Sequence, residues 1–199
     1  SQGVKVKNEK IITVGKNSYG ILGKDVEIGG TSVITVGESG TGIYSDTGVA
    51  NPAGNIVINN GAKFNIGNNN AVGVFTADTV AGTIIKDNGG EFNVGDKSFG
   101  YALIGTGSTL TTSVTGKALL ENDGIYIYSR QNTLNVNTNI TATGNNNYGI
   151  YNVGGTATVN NTISMENGNG NVGLYSNGGI LTHSGNIMIG GSTVASDGS

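Results

Sequence analysis

The stretch "NNNYGIYNVGG", Asn145 to Gly155, returns almost unchanged as "NGNVGLYSNGG", Asn169 to Gly179. Aligning the chain on the glycine of this phrase finds it again in "SYGIL" (Gly20), "GTGIYS" (Gly42), "AVGVFT" (Gly73), "SFGYAL" (Gly100) and "NDGIYIYS" (Gly124), ahead of Gly149 and Gly173. Successive glycines lie 22, 31, 27, 24, 25 and 24 residues apart. A fixed period of this length marks a stacked-repeat architecture, in which each repeat buries its apolar face against its neighbours.

Two further phrases run in phase with the first. One reads "IITVG" at Ile11, "VITVG" at Val33, "KFNIG" at Lys63, "EFNVG" at Glu91, "SVTG" at Ser113, "NITATG" at Asn139, "TISM" at Thr162 and "NIMIG" at Asn186. The other includes "DVEIGG" at Asp25, "NIVINNG" at Asn55, "NTLNVN" at Asn132 and "TATVNN" at Thr156. Each phrase is four to six residues long, rich in Ile, Val, Thr, Tyr and Phe, and alternates in polarity, which is strand behaviour. The best helical candidate, "GKALLEN" from Gly116, is too short for an apolar 3.6-residue period. The expectation is an all-β chain: one right-handed parallel β-helix over residues 1–199, with about 7–8 rungs and three short strands per rung.

Composition agrees with a solenoid. The chain has 199 residues, 36 of them Gly, and 36% hydrophobic residues, too many for a disordered linker. Glycine and asparagine between the strands suit corners that need left-handed backbone, and stacked asparagines can form amide ladders. A net charge of -3, with Arg130 the only arginine and no basic cluster, argues against nucleic acid. With no cysteine, neither a disulfide framework nor a thiolate metal site is available.

Catalytic and metal chemistry has little to stand on. The densest acidic group is Glu121 with Asp123, to which a loose stacking alignment adds Asp96. Their surroundings read as solvated surface. His183 is the single histidine and has no Cys or carboxylate at ligand spacing, so no metal, cofactor or catalytic residue is expected.

Binding candidates are clearer. Two residues after the repeat glycine stand Leu22, Tyr44, Phe75, Ala102, Tyr126, Tyr151 and Tyr175, and one residue after it a mostly aliphatic column. Alternation puts the two columns on opposite faces. If the aliphatic column fills the coil, Tyr126, Tyr151 and Tyr175 form an outward ladder that either binds a partner or only stabilises the rungs. The longest repeat holds an insertion, "SDTGVANPAG", whose Asp46, Asn51 and Pro52 are a second candidate, as a functional or an idle loop.

These phrases resemble the passenger domains of large type V autotransporter adhesins, especially fusobacterial surface adhesins. The residues that carry the resemblance are Gly42-Ile43-Tyr44-Ser45, Gly149-Ile150-Tyr151-Asn152, Gly173-Leu174-Tyr175-Ser176 and Val33-Ile34-Thr35-Val36-Gly37. The resemblance implies a right-handed β-helix excised from a longer passenger, exposed on the bacterial surface or secreted, with a C-terminal outer-membrane barrel that lies elsewhere in the parent chain. It also implies attachment to a host cell-surface glycan, a protein receptor or a partner bacterium. A purely structural stalk and a carbohydrate-active β-helix enzyme are the alternatives.

Overall fold

The computed structural model describes residues 5–45, 54–78 and 82–190. Every strand pairing in it is parallel, and the described residues contain no helix. The chain winds as a β-solenoid of about seven turns, each turn carrying three strands. Neighbouring turns are about 4.8 Å apart along the axis, the spacing of hydrogen-bonded strands.

The first face stacks Lys5–Asn8, Asp25–Ile28, Asn55–Ile58, Ile84–Asp87 and Thr109–Thr112. The second face stacks Ile11–Val14, Val33–Val36, Lys63–Ile66, Glu91–Val94, Lys117–Leu120, Asn139–Ala142, Ile163–Met165 and Ile187–Ile189. The third face stacks Tyr19–Leu22, Thr41–Ser45, Val72–Thr76 and Phe99–Leu103. Two 12-residue strands, Ile125–Val136 and Tyr148–Val159, then run without a break from the third face into the first and join both into one sheet.

Alternation fills the coil as the sequence predicts. Ile28, Ile58, Leu110, Ile34, Phe64, Phe92, Ile140, Ile43, Val74 and Ile150 are fully or almost fully buried. Burying such a side chain contributes roughly 1.5–3 kcal/mol, so the interior column supplies most of the favourable energy. The widest part of the core is aromatic: Phe64 and Phe92 stack at 4.4 Å, and Tyr101 and Tyr126 meet edge-on at 5.6 Å beside them.

One local expectation is met and one needs correction. "KALL", Lys117–Leu120, is a strand, in keeping with its being too short for a helix: Ala118 and Leu120 pair in register with Phe92 and Val94 and fill the same interior column. "SVTG", read from sequence as that turn's strand, is the corner before it.

The corners also show why asparagine recurs. Between the second and third faces every turn places at least one residue at positive φ: Asn17, Ser39, Asn69 with Asn70, Lys97, Asp123, Asn146, and Gly168 with Gly170. Beside them runs a ladder in which each side-chain oxygen accepts a backbone N–H from the next turn. Asn68 Oδ1 accepts from Asp96 N at 3.0 Å, Asp96 Oδ1 from Asn122 N at 2.9 Å, Asn122 Oδ1 from Asn145 N at 3.0 Å, and Asn145 Oδ1 from Asn169 N at 2.7 Å. Main-chain donors at a corner have no strand partner, and the ladder supplies one in each turn, which fixes the corner's shape.

Candidate functional site

The repeat phrase is not a plain alternating strand. At its glycine the chain bends so that both the glycine position and the residue after it point inward. The glycine is there for space: a Cβ on Gly149 would stand 2.5 Å from the carbonyl oxygen of Gly173 in the next turn. Flanking this inward pair, the residue before the glycine and the residue two after it both point outward.

The register moves Tyr126 off the outward ladder. Ile127 pairs with Tyr101 and Ile150, and Tyr128 with Ala102 and Tyr151, so Tyr126 occupies the repeat-glycine position of its turn. Its ring is completely buried against Phe92 and Tyr101. Room for it comes from Gly100 one turn away, where a Cβ would lie 2.7 Å from the Tyr126 ring. Tyr128 is the ladder residue that sequence alignment missed. The signal was present: in the outward position tyrosine is followed by Ser or Asn, as in Tyr44-Ser45, Tyr151-Asn152 and Tyr175-Ser176, and Tyr128-Ser129 fits where Tyr126-Ile127 does not.

The outer surface of the third face therefore carries two columns. One holds Tyr19, Thr41, Val72, Phe99, Ile125, Tyr148 and Val172; the other holds Leu22, Tyr44, Phe75, Ala102, Tyr128, Tyr151 and Tyr175. No charged residue occurs in either. Tyr44 stacks on Phe75 at 5.0 Å, Tyr128 on Tyr151 at 5.5 Å, and Tyr151 on Tyr175 at 4.3 Å, with Tyr19 and Tyr148 edge-on to their neighbours. The Tyr151 hydroxyl is held above its ordinary ionisation range, chiefly by its hydrogen bond with Tyr175. The strip is thus uncharged at neutral pH, with polar hydroxyl tips on apolar rings.

Ala102 breaks the ladder. With no ring at that turn, a notch of about 360 Å³ opens between Phe75 and Tyr128, lined also by Asn70, Val72, Phe99 and Ile104. This is within the usual volume range of small-ligand sites, about 300–1,000 Å³. A third outward column begins here, with Arg130 paired to Val153 and following Ile104 one turn on. The Arg130 side chain is exposed and forms no ion pair among the described residues.

The remaining candidates fall elsewhere. Asp46, Asn51 and Pro52 lie outside the described residues. Asp96 is tied to Asn122, and Asp123 accepts from Asn146 Nδ2 at 3.1 Å, so these carboxylates serve the corner ladder. Glu121 borders a shallow polar groove on the second face with Thr35, Asn65 and Asn93. His183 Nε2 lies 3.4 Å from the Asn161 carbonyl oxygen. Among the described residues no three His, Asp or Glu side chains come together to hold a metal ion.

One polar pair inside the coil has no counterpart in the sequence reading. Asp87 takes the interior position held by Ile58 one turn before, and its carboxylate accepts from Gly89 N at 3.0 Å, Gly90 N at 2.6 Å and Tyr101 Oη at 2.9 Å. Burial raises its pKa above the ordinary value, opposed by these three donors. Burial likewise pushes the Tyr101 hydroxyl well up, and the nearby Asp87 charge adds to the effect. Comparison with known protein families, curated proteins and solved structures found no match to this chain.

Proposed function

We propose that this chain is a non-enzymatic segment of a bacterial surface adhesin, exposed outside the cell, that attaches to host cells or to other bacteria through its third face. The observation that carries this reading is the charge-free, largely aromatic strip along the third face. The largest contiguous apolar patch on a protein surface is often an interaction site. Tyrosine is favoured at recognition surfaces because a large rigid ring loses little entropy on binding. The repeat phrases that resemble autotransporter passengers point in the same direction.

The test is attachment of the purified protein to epithelial cells and to partner bacteria. Replacing Tyr128, Tyr151 and Tyr175 together by Ala should abolish attachment while the β-sheet circular dichroism persists. Undiminished attachment by that triple variant would remove the strip from the function. The stalk reading draws on the same rings, since the 4.3 Å stacking of Tyr151 on Tyr175 also adds cohesion between turns. It predicts no attachment by the wild-type protein in either assay.

A further inference from the structure

We propose that the third face binds an acidic glycan, with one pyranose ring seated in the notch over Ala102 and its carboxylate paired to Arg130. The proposal rests on the adhesive reading above and names the partner for that face.

Size narrows the occupant first. Seven turns of about 4.8 Å and two outward columns about 10 Å apart make a strip of roughly 340 Å². A stable protein–protein interface needs about 800 Å² on each partner, so neither a second copy packed face to face nor a globular receptor is matched to it. A narrow, extended ligand is. An extended peptide suits the strip poorly, because main-chain groups on this face are already engaged in pairing between turns and leave no free edge to which a strand could add. Its own amides would lose water against aromatic rings without replacement. A pyranose has an apolar C–H face for the rings and a rim of hydroxyls that stays in water.

The notch gives such a ring its seat. Phe75 and Tyr128 stand two turns apart, about 10 Å, with Ala102 as the floor between them. One inserted ring would lie about 5 Å from each, the ordinary centroid distance of stacked rings. Phe99 and Ile104 wall the sides, and Asn70 supplies a polar group at the rim.

Charge selects among sugars. Neither outward column carries a charge, and the chain's only arginine lies one turn beyond Ile104, beside Tyr128. A guanidinium that forms no ion pair among the described residues, two residues along the strand from the seat's Tyr128, is suited to a planar carboxylate, which it grips with two parallel hydrogen bonds. Uronic and sialic acids both carry that group.

Titration calorimetry with trigalacturonate, its trimethyl ester, 3′-sialyllactose and lactose separates these features. At least one acidic sugar should bind about ten-fold or more tightly than its neutral counterpart, and which one binds identifies the source of the carboxylate. Arg130→Gln should bring the acid's affinity down to that of the neutral sugar. Ala102→Phe should complete the ring ladder, preserve or raise Tm, and abolish binding; retained folding distinguishes a filled notch from a damaged protein. The proposal is overturned if neither acid binds, if Arg130→Gln leaves the acid preference intact, or if Ala102→Phe binds as before. Attachment to cells that needs the three tyrosines, without binding of either acid, would sink this inference and leave the adhesive reading standing. Binding of an acid by a protein that does not attach to cells would do the reverse.

Discussion

Replacing Asp87 by Ile and Tyr101 by Phe, singly and together, tests whether the buried carboxylate and the buried hydroxyl depend on one another. Tyr101→Phe deletes one of three donors to a buried charge, and hydrogen bonds to charged groups are worth about 1.5–3 kcal/mol. Asp87→Ile restores the apolar column of Ile58 but strands the Tyr101 hydroxyl and the Gly89 and Gly90 amides. Relief of the carboxylate's burial offsets part of that loss, leaving about 2–4 kcal/mol. In the double variant the hydroxyl is gone, so the two losses do not add. A coupling of about 1.5–3 kcal/mol is expected from urea unfolding followed by circular dichroism. Coupling below about 0.5 kcal/mol would mean that the pair is incidental. The same site sets a pH dependence. Burial raises the folded pKa of Asp87 above the ordinary 3.8, so its stabilising contribution is complete below that value and is lost as pH rises through the folded pKa. Wild-type stability measured relative to Asp87→Asn should therefore increase on acidification from neutral pH; a difference that is flat or of opposite sign refutes the burial argument.

Two other substitutions probe the corners and the rung spacing. Lys97 holds φ at 55°, where a side chain costs about 1–2 kcal/mol, so Lys97→Gly should raise stability by about 0.5–1 kcal/mol in a thermal melt after the greater chain entropy of glycine is subtracted. Gly149→Ala pushes a methyl group to 2.5 Å from the Gly173 carbonyl and should lower stability by about 1–3 kcal/mol, read as a fall in the urea midpoint.

The solenoid was legible because each turn repeats the same three phrases and each phrase alternates in polarity, so local and long-range signals agree. Register was legible only in part. "GIYIYS" admits two alignments two residues apart, and plain alternation puts Tyr126 and Tyr128 on one face in both; only the bend at the repeat-glycine position turns Tyr126 inward, so alternation alone cannot choose between them. The choice moved one tyrosine from surface to core and put Tyr128 on the outward aromatic ladder, with Arg130 two residues further along the same strand. The gap at Ala102 could be read from the column itself. The Asp87–Tyr101 bond could not, since its partners belong to different phrases and meet only when the coil closes.

The two long strands that run from the third face into the first have a mechanical consequence. Hydrogen bonds between turns lie along the axis of the rod, so a pull on its ends loads the turns in series and the weakest junction parts first. Most turns are joined through separate short strands of three or four residues' pairing, whereas Ile125–Val136 and Tyr148–Val159 grip each other through a whole corner, from Ile125 against Tyr148 to Val136 against Val159. Under tension the junctions held only by separate short strands should part first and this clasp last, keeping Tyr128, Tyr151 and Arg130 in place.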